Sequence, residues 1–253
     1  MVPCPLGAAD GIVALGYHRR RYRPVCDAGP VAIPSTPSTQ VSRLREKQNT
    51  SRERLDTILD STPLATVAFV RDGHPVALPI GFARIGDELV IHGSTGSPWL
   101  RTLAGGASVS VSVSTLDGVV VARSGFESSF HFCSAVLFGS FETVGDDKKV
   151  SYLEALTEVF IPGRWAEIRP STSRELAATL VLKLGIGTDN WSVKIGDGWP
   201  EDPEEDVATG TWAGIVPITT TYGNPLRAPD CDESIPVPGS VRAMAGRQVD
   251  RRG

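Results

Sequence analysis

The chain has 253 residues, 41% hydrophobic and 21% charged, and its 25 Lys and Arg against 29 Asp and Glu leave a net charge of −4. That is the composition of a globular chain with a core, sized for one domain with appended ends. The weakly acidic balance offers no basic field for nucleic acid or an anionic membrane, and no apolar run approaches the roughly 20 residues that cross a bilayer.

Residues 1–40 end in "VAIPSTPSTQ", a Pro, Ser and Thr stretch that reads as a disordered N-terminal arm. A folded domain is expected over 41–227. In "SRERLDTILDSTP" the apolar residues Leu55, Ile58 and Leu59 fall at helical spacing, Ser51 is a cap and Pro63 a stop. "ATVAFV", "HPVALPIGFARI" and "ELVIHGS" follow as three strands joined by tight turns at Asp72-Gly73 and Gly86-Asp87. "SPWLRTLAGG" is a short helix. "SVSVSVSTLDGVVVARSGF" then alternates, with Val109, Val111 and Val113 on one face and serines on the other. So small a hydroxyl face suits a lined cavity or a close neighbouring subunit.

"FHFCSAVLFGSFETV" continues as a strand, and "DKKVSYLEALTEVF" is a helix whose buried stripe is expected at Val150, Leu153, Leu156, Val159 and Phe160. "PGRWAEIRPSTSRELAATLVLKLGIG" reads as a loop, a short helix and a return strand, with Arg164 and Arg169 in structural ion pairs. "WSVKIG" is a further strand, "GDGWPEDPEED" an acidic loop and "TWAGIVPIT" the last ordered piece; 228–253 reads as a flexible tail. At least six strands with few helices predict a mainly β (α+β) fold, an antiparallel barrel, because closure removes exposed edges. Gly-rich phosphate loops, G-x-S-x-G, H-E-x-x-H and the dinucleotide fingerprint are absent. The four cysteines, Cys4, Cys26, Cys133 and Cys231, lack C-x-x-C spacing, so neither a disulfide framework nor a metal site is indicated. The N-terminal charge follows the apolar residues rather than preceding them, and the expected compartment is the cytoplasm.

Within "GFESSFHFCSAVLFG", alternation puts Ser129, His131, Cys133 and Ala135 on one face of a strand and Phe130, Phe132 and Ser134 on the other. His131 and Cys133 are therefore neighbours on one surface. They are read either as a packed histidine beside a buried thiol, or as pocket residues serving as acid, base, nucleophile or axial ligand to an iron porphyrin. His92, ending the strand "VIHGS", is open to the same two readings. Of the five tryptophans, Trp99, Trp191, Trp199 and Trp212 are read as core packing before ligand walls.

The succession "DGHPVALPIGFARIGDELVIHGSTGS", "LDGVVVARSGF", "PGRWAEIRP", "ELAATLVLKL" and "WAGIVPI" resembles the pyridoxamine 5′-phosphate oxidase-like proteins with an FMN-binding split β-barrel, in particular the flavin-nucleotide-binding branch related to nitroimidazole resistance proteins. The resemblance implies a homodimeric split barrel with a small-molecule site at the subunit interface and an FMN-dependent oxidoreductase acting on a small organic molecule. It implies a cofactor set of Pro79, Ile80, His92, Gly93, Ser94, Thr95, Ser97, Arg101, Ser129 and Lys194, with His131, Cys133 and His92 as catalytic candidates. Three positions that carry basic residues in that branch are Pro98, Cys133 and Gly196 here. Each arginine fork on a phosphate contributes roughly 1.5–3 kcal/mol, so these departures leave two other readings open. One is a split barrel that has lost FMN and uses haem or no cofactor, with His131 and Cys133 in its pocket. The other is a non-catalytic binding dimer.

Overall fold

The computed structural model describes residues 39–41 and 43–249, so the expected arm at 1–40 lies outside the described residues apart from its last two. In chain order the elements are β1 (Gln48–Asn49), α1 (Arg52–Asp60), β2 (Leu64–Arg71), β3 (His74–Ile85), β4 (Glu88–Ser94), α2 (Pro98–Ala104), β5 (Ser108–Val121), β6 (Ser129–Ser140), β7 (Glu142–Thr143), α3 (Asp146–Phe160), α4 (Ser173–Ala178), β8 (Thr179–Gly185), β9 (Trp191–Gly196), α5 (Glu204–Val207), β10 (Gly214–Pro217) and α6 (Gly239–Met244). No helix among the described residues is long and apolar enough to cross a membrane.

All strand pairs are antiparallel, in the order β1-β9-β6-β5-β2-β3-β4-β8-β7, with β10 on the outer half of β5. Only Phe141 separates β6 from β7, yet β6 pairs with β5 and β9 while β7 pairs with β8. One run of chain thus joins both flanks of the sheet and closes it into the expected barrel, sparing most edges from exposure. At the closure β6 passes so near β8 that a Cβ on Gly139 would lie 2.8 Å from Leu184 Cδ1. The β2–β3 turn has positive φ at both central residues, 52° at Asp72 and 76° at Gly73. That is the I′ geometry that matches strand twist and that Asp-Gly adopts readily.

The valine face of β5 points inward: Val109, Val111 and Val113 join Val67, Phe82, Ile91, Leu137, Leu182 and Val193 in one core. Helix α1 completes that core. Ser51 caps it by accepting from Arg54 N at 3.4 Å, and Leu55, Ile58 and Leu59 are buried against the strands, each such burial stabilising by about 1.5–3 kcal/mol. Arg52 to Asp87 at 2.6 Å and Arg84 to Asp60 pin the helix to the β3–β4 hairpin.

Helix α3 covers a second, smaller core of Ala83, Val90, Val144, Leu156 and Val181 on the other side of β3, β4 and β8. Its contact stripe is narrower than the sequence suggests. Leu156 is buried and Tyr152, Leu153 and Phe160 pack beside it, whereas Val150 and Val159 stay exposed, because a helix lying on one sheet face buries only one side. The region 228–253, expected as a flexible tail, is docked as far as it is described. Ser240 of α6 donates its amide to Glu167 Oε1 at 3.1 Å, and Thr221 bridges Gln248. Polar contacts to a distant loop hold this segment, and no local pattern signals them.

Candidate functional site

The register between β5 and β6 sets Thr115 opposite Cys133 and Gly118 opposite His131, with a shift between Leu116 and Gly118 that leaves Asp117 as a bulged extra residue. Bulges re-aim side chains, and here the carboxylate is turned inward, where Asp117 is only 6% exposed. Thr115 Oγ1 donates to Asp117 Oδ2 at 3.0 Å, while Oδ1 has no hydrogen-bond partner. An unmatched buried acceptor costs about 1–3 kcal/mol, more when charged. His131, 8% exposed, donates from Nε2 to Gly198 O at 2.8 Å, since a carbonyl can only accept. Cys133 is half-buried, and burial followed by the Asp117 charge pushes its thiol pKa up.

Asp117, His131 and Cys133, with Arg54 from α1 and Ile195, Gly196 and Asp197 at the end of β9, wall a cavity of about 290 Å³. The structure therefore brings His131 and Cys133 together on one face, as alternation requires, and that face looks under α1. Its chemistry is that of a buried polar site. A nucleophilic cysteine needs its thiolate stabilised, and this thiol is held protonated. The imidazole is engaged at Nε2, and the cavity lies at the lower end of the roughly 300–1,000 Å³ of small-molecule sites. No group of three or more His, Cys, Asp or Glu among the described residues is arranged to hold a metal ion. The sequence reading passed over Asp117, although its odd number continues the inward series Val109, Val111, Val113 and Thr115. A carboxylate in phase with a valine face was the available signal.

The other candidates lie elsewhere. His92 is exposed at the end of β4, yet enough protein surrounds the ring for desolvation to push its pKa down. Gly93 lies against Leu100 of α2. Ser94 Oγ accepts from Gly96 N at 3.1 Å, Thr95 donates its amide to Ala178 O at 2.9 Å, and Ser97 N donates to Ser94 O at 3.0 Å. Arg101 Nη1 donates to Thr95 O at 3.3 Å. Residues 92–101 thus form one compact rim with exposed hydroxyls and a guanidinium, and Pro98 begins α2 within it.

Pro79 faces outward opposite Thr66, which itself pairs with Ser112, whereas Ile80 packs on the core. Lys194 pairs with Ser134, which pairs with Ser114, so this lysine shares the serine face and is on the opposite side of the sheet from Cys133. Ser129 is exposed where β6 starts. Trp99 and Trp191 pack on the main core as expected, but Trp199 and Trp212 are 72% and 65% exposed. Arg164 and Arg169 pair with Glu167 and Glu175.

With this geometry in place, comparison with known proteins is specific. The pyridoxamine 5′-phosphate oxidase family profile matches residues 51–190. No curated protein matches the chain. Among solved structures, an FAD and haem binding protein from Mycobacterium smegmatis is 67% identical, with a TM-score of 0.78, over 80% of this chain and 98% of its own. The flavocytochrome Anf3 from Azotobacter vinelandii is 33% identical, with a TM-score of 0.77, over 85% of this chain and 100% of its own. The match of more than half the sequence to the family profile, on a closed antiparallel barrel, means that the chain belongs to the pyridoxamine 5′-phosphate oxidase family.

Proposed function

We propose that the protein is a flavin- and haem-binding redox protein of the flavocytochrome kind, acting as a homodimer in the cytoplasm, where unpaired cysteines such as Cys133 and Cys231 persist. The observation that carries this reading is the 67% identity to a protein that binds FAD and haem, across nearly all of that protein's length. It favours FAD over FMN and both cofactors over either alone.

The residues present fit such groups. Ser94, Thr95 and Ser97 supply hydroxyls, and Arg101 spends one N–H on Thr95 O out of the five a guanidinium carries, a donor set suited to a flavin phosphate. The flat outward face of Thr66, Pro79, Ser110 and Ser112 has side chains small enough to admit a planar ring or the partner subunit. His92 is the histidine suited to iron, because desolvation favours the neutral imidazole that ligates metals. His131 has its Nε2 engaged by Gly198 O. A bound flavin would supply two-electron chemistry and a bound haem one-electron chemistry. The protein's own part is binding, orientation and electrostatics.

The absorption spectrum of the purified protein tests the reading. Superposed haem and flavin bands are expected, with FAD released on denaturation. A colourless chain that takes up neither cofactor on reconstitution overturns it.

A further inference from the structure

Among the described residues, no member of either apolar core, and no hydrophobic side chain packed against one, lies beyond Ile195. From 219 to 249, Ser240 is the one buried residue among those described, while Leu226 and Ile235 stand 95% and 52% exposed. A segment with so little apolar burial has little to offset the entropy of ordering it. Polar contacts must hold it in place.

Most of those contacts close the segment on itself. Thr221 bridges Gln248, Tyr222 N donates to Arg247 O at 3.0 Å, and Gly246 N donates to Tyr222 O at 2.9 Å. The Arg247 guanidinium lies over the Tyr222 ring, 5.6 Å from its centroid. One clasp then ties α6 to the turn after α3. That turn is itself fixed, because Glu158 accepts from Gly163 N at 2.6 Å and from Trp165 N at 2.8 Å. It presents Glu167, whose Oε1 accepts from Ser240 N at 3.1 Å and whose Oε2 accepts from Ser240 Oγ at 2.5 Å. The amide is one that a helix start leaves without an intrahelical partner. Both bonds run to a charged acceptor, so both weaken when the carboxyl takes up a proton.

Few other charges face the clasp. Arg164 Nη1 donates to Glu167 Oε2 at 3.3 Å from the same turn. Arg242 Nη2 of α6 and Glu167 Oε1 flank the Cβ position of Gly239 at 4.0 and 3.5 Å. The Ser240 bonds, ahead of Arg164, hold the Glu167 carboxyl below the ordinary carboxylate range.

We propose that residues 219–249 form a detachable strap, latched by the Glu167–Ser240 clasp and released by acid. A carboxyl whose folded value is depressed favours docking above its ordinary value, and that contribution is lost as pH falls through the depressed one. Release opens the space of about 440 Å³ that Tyr222, Arg247 and Val249 share with Ser61, Pro63 and Val159 at the ends of α1 and α3. The strap is independent of the flavin and haem reading, since the clasp shares no residue with the rim or the outward face.

Hydrogen exchange of the purified holoprotein, corrected for intrinsic rates at each pH, tests it. At pH 7, Glu167→Gln loses the charge and one acceptor, and the amides of 219–249 should lose protection about tenfold or more while β5 and β6 stay unchanged. In wild type the same amides should lose protection as pH falls below 4.5, again ahead of β5 and β6, and the variant's profile should be flat. If Glu167→Gln fails to fold, Ser240→Ala carries the comparison at pH 7, with about threefold or greater loss expected for one missing bond. Unchanged protection of 219–249 in the folded variant, loss only together with β5 and β6, or the same acid profile in wild type and Glu167→Gln each overturns the proposal.

Discussion

The two faces of the β5–β6 hairpin are made from alternate residues of the same strands, and they have opposite characters. Inward, Thr115, Asp117, His131 and Cys133 form a small, half-open polar site beside α1. Outward, Ser110, Ser112, Ser114, Ser134 and Lys194 share a broad mixed face with Val136 and Phe138, continuous through Thr66 with Pro79. The inner site has its groups fixed by bonds from Thr115 and to Gly198. On the outer face and the rim at 92–101 most polar groups still reach solvent. A buried face fixes a few groups at high desolvation cost, and an open one keeps many donors available for a large ligand or a second chain.

The largest effect should come from histidine substitution. His92→Ala should abolish the haem absorption while leaving the flavin band, and His131→Ala should leave the haem band in place; the reverse pattern in the spectra would exchange the roles of the two faces. Next is Arg101→Ala, expected to weaken flavin binding about ten- to a hundredfold for the loss of a charged contact of roughly 1.5–3 kcal/mol. Cys133→Arg, whose side chain enters the inner cavity, should not tighten flavin in a titration followed by flavin fluorescence. Tighter binding by that variant would show that this strand turns its other face to the cofactor.

Thr115→Val removes the hydroxyl that satisfies Asp117 Oδ2 and should lower stability by about 1–3 kcal/mol in urea unfolding. Ser112→Val, on the outward face, should change the same measurement by much less. A smaller effect concerns the thiol. Burial and then the Asp117 anion raise the Cys133 pKa, so replacing that anion by Asn should lower the pKa, increase the thiolate fraction at mildly alkaline pH and speed alkylation severalfold. An unchanged rate would mean that burial alone controls the thiol.

The smallest is far from both faces. Glu175 closes the capping box of α4 with Thr172 and meets Arg169, and these contacts hold its carboxyl at about 2. A depressed folded-state pKa contributes stability above the ordinary carboxylate value and loses it as pH falls toward 2. Glu175→Gln should therefore flatten the stability profile between about pH 4.5 and pH 2 and leave it parallel to wild type near neutrality. The fully exposed position keeps the effect slight.

Much of the fold was determined by neighbours in sequence, and so could be read from it. Asp72-Gly73 specifies its own turn, Leu55, Ile58 and Leu59 specify a helix with one apolar side, and the Val109–Val111–Val113 alternation specifies a strand with two unlike faces. The grouping of Ser94, Thr95, Ser97 and Arg101 is likewise local, since one turn and one short helix bring them together. Alternation sorts residues into two faces, but it carries no information about what each face meets. Only barrel closure by β6 and β7, and the seating of α1 across the strands, put His131 and Cys133 inside and Lys194 outside. The inward bulge at Asp117, the exposure of Val150 and Val159, and the docking of Ser240 on Glu167 depend on contacts far apart in the chain. Those contacts form only when the backbone has closed, so tertiary structure decided which polar residues share a site.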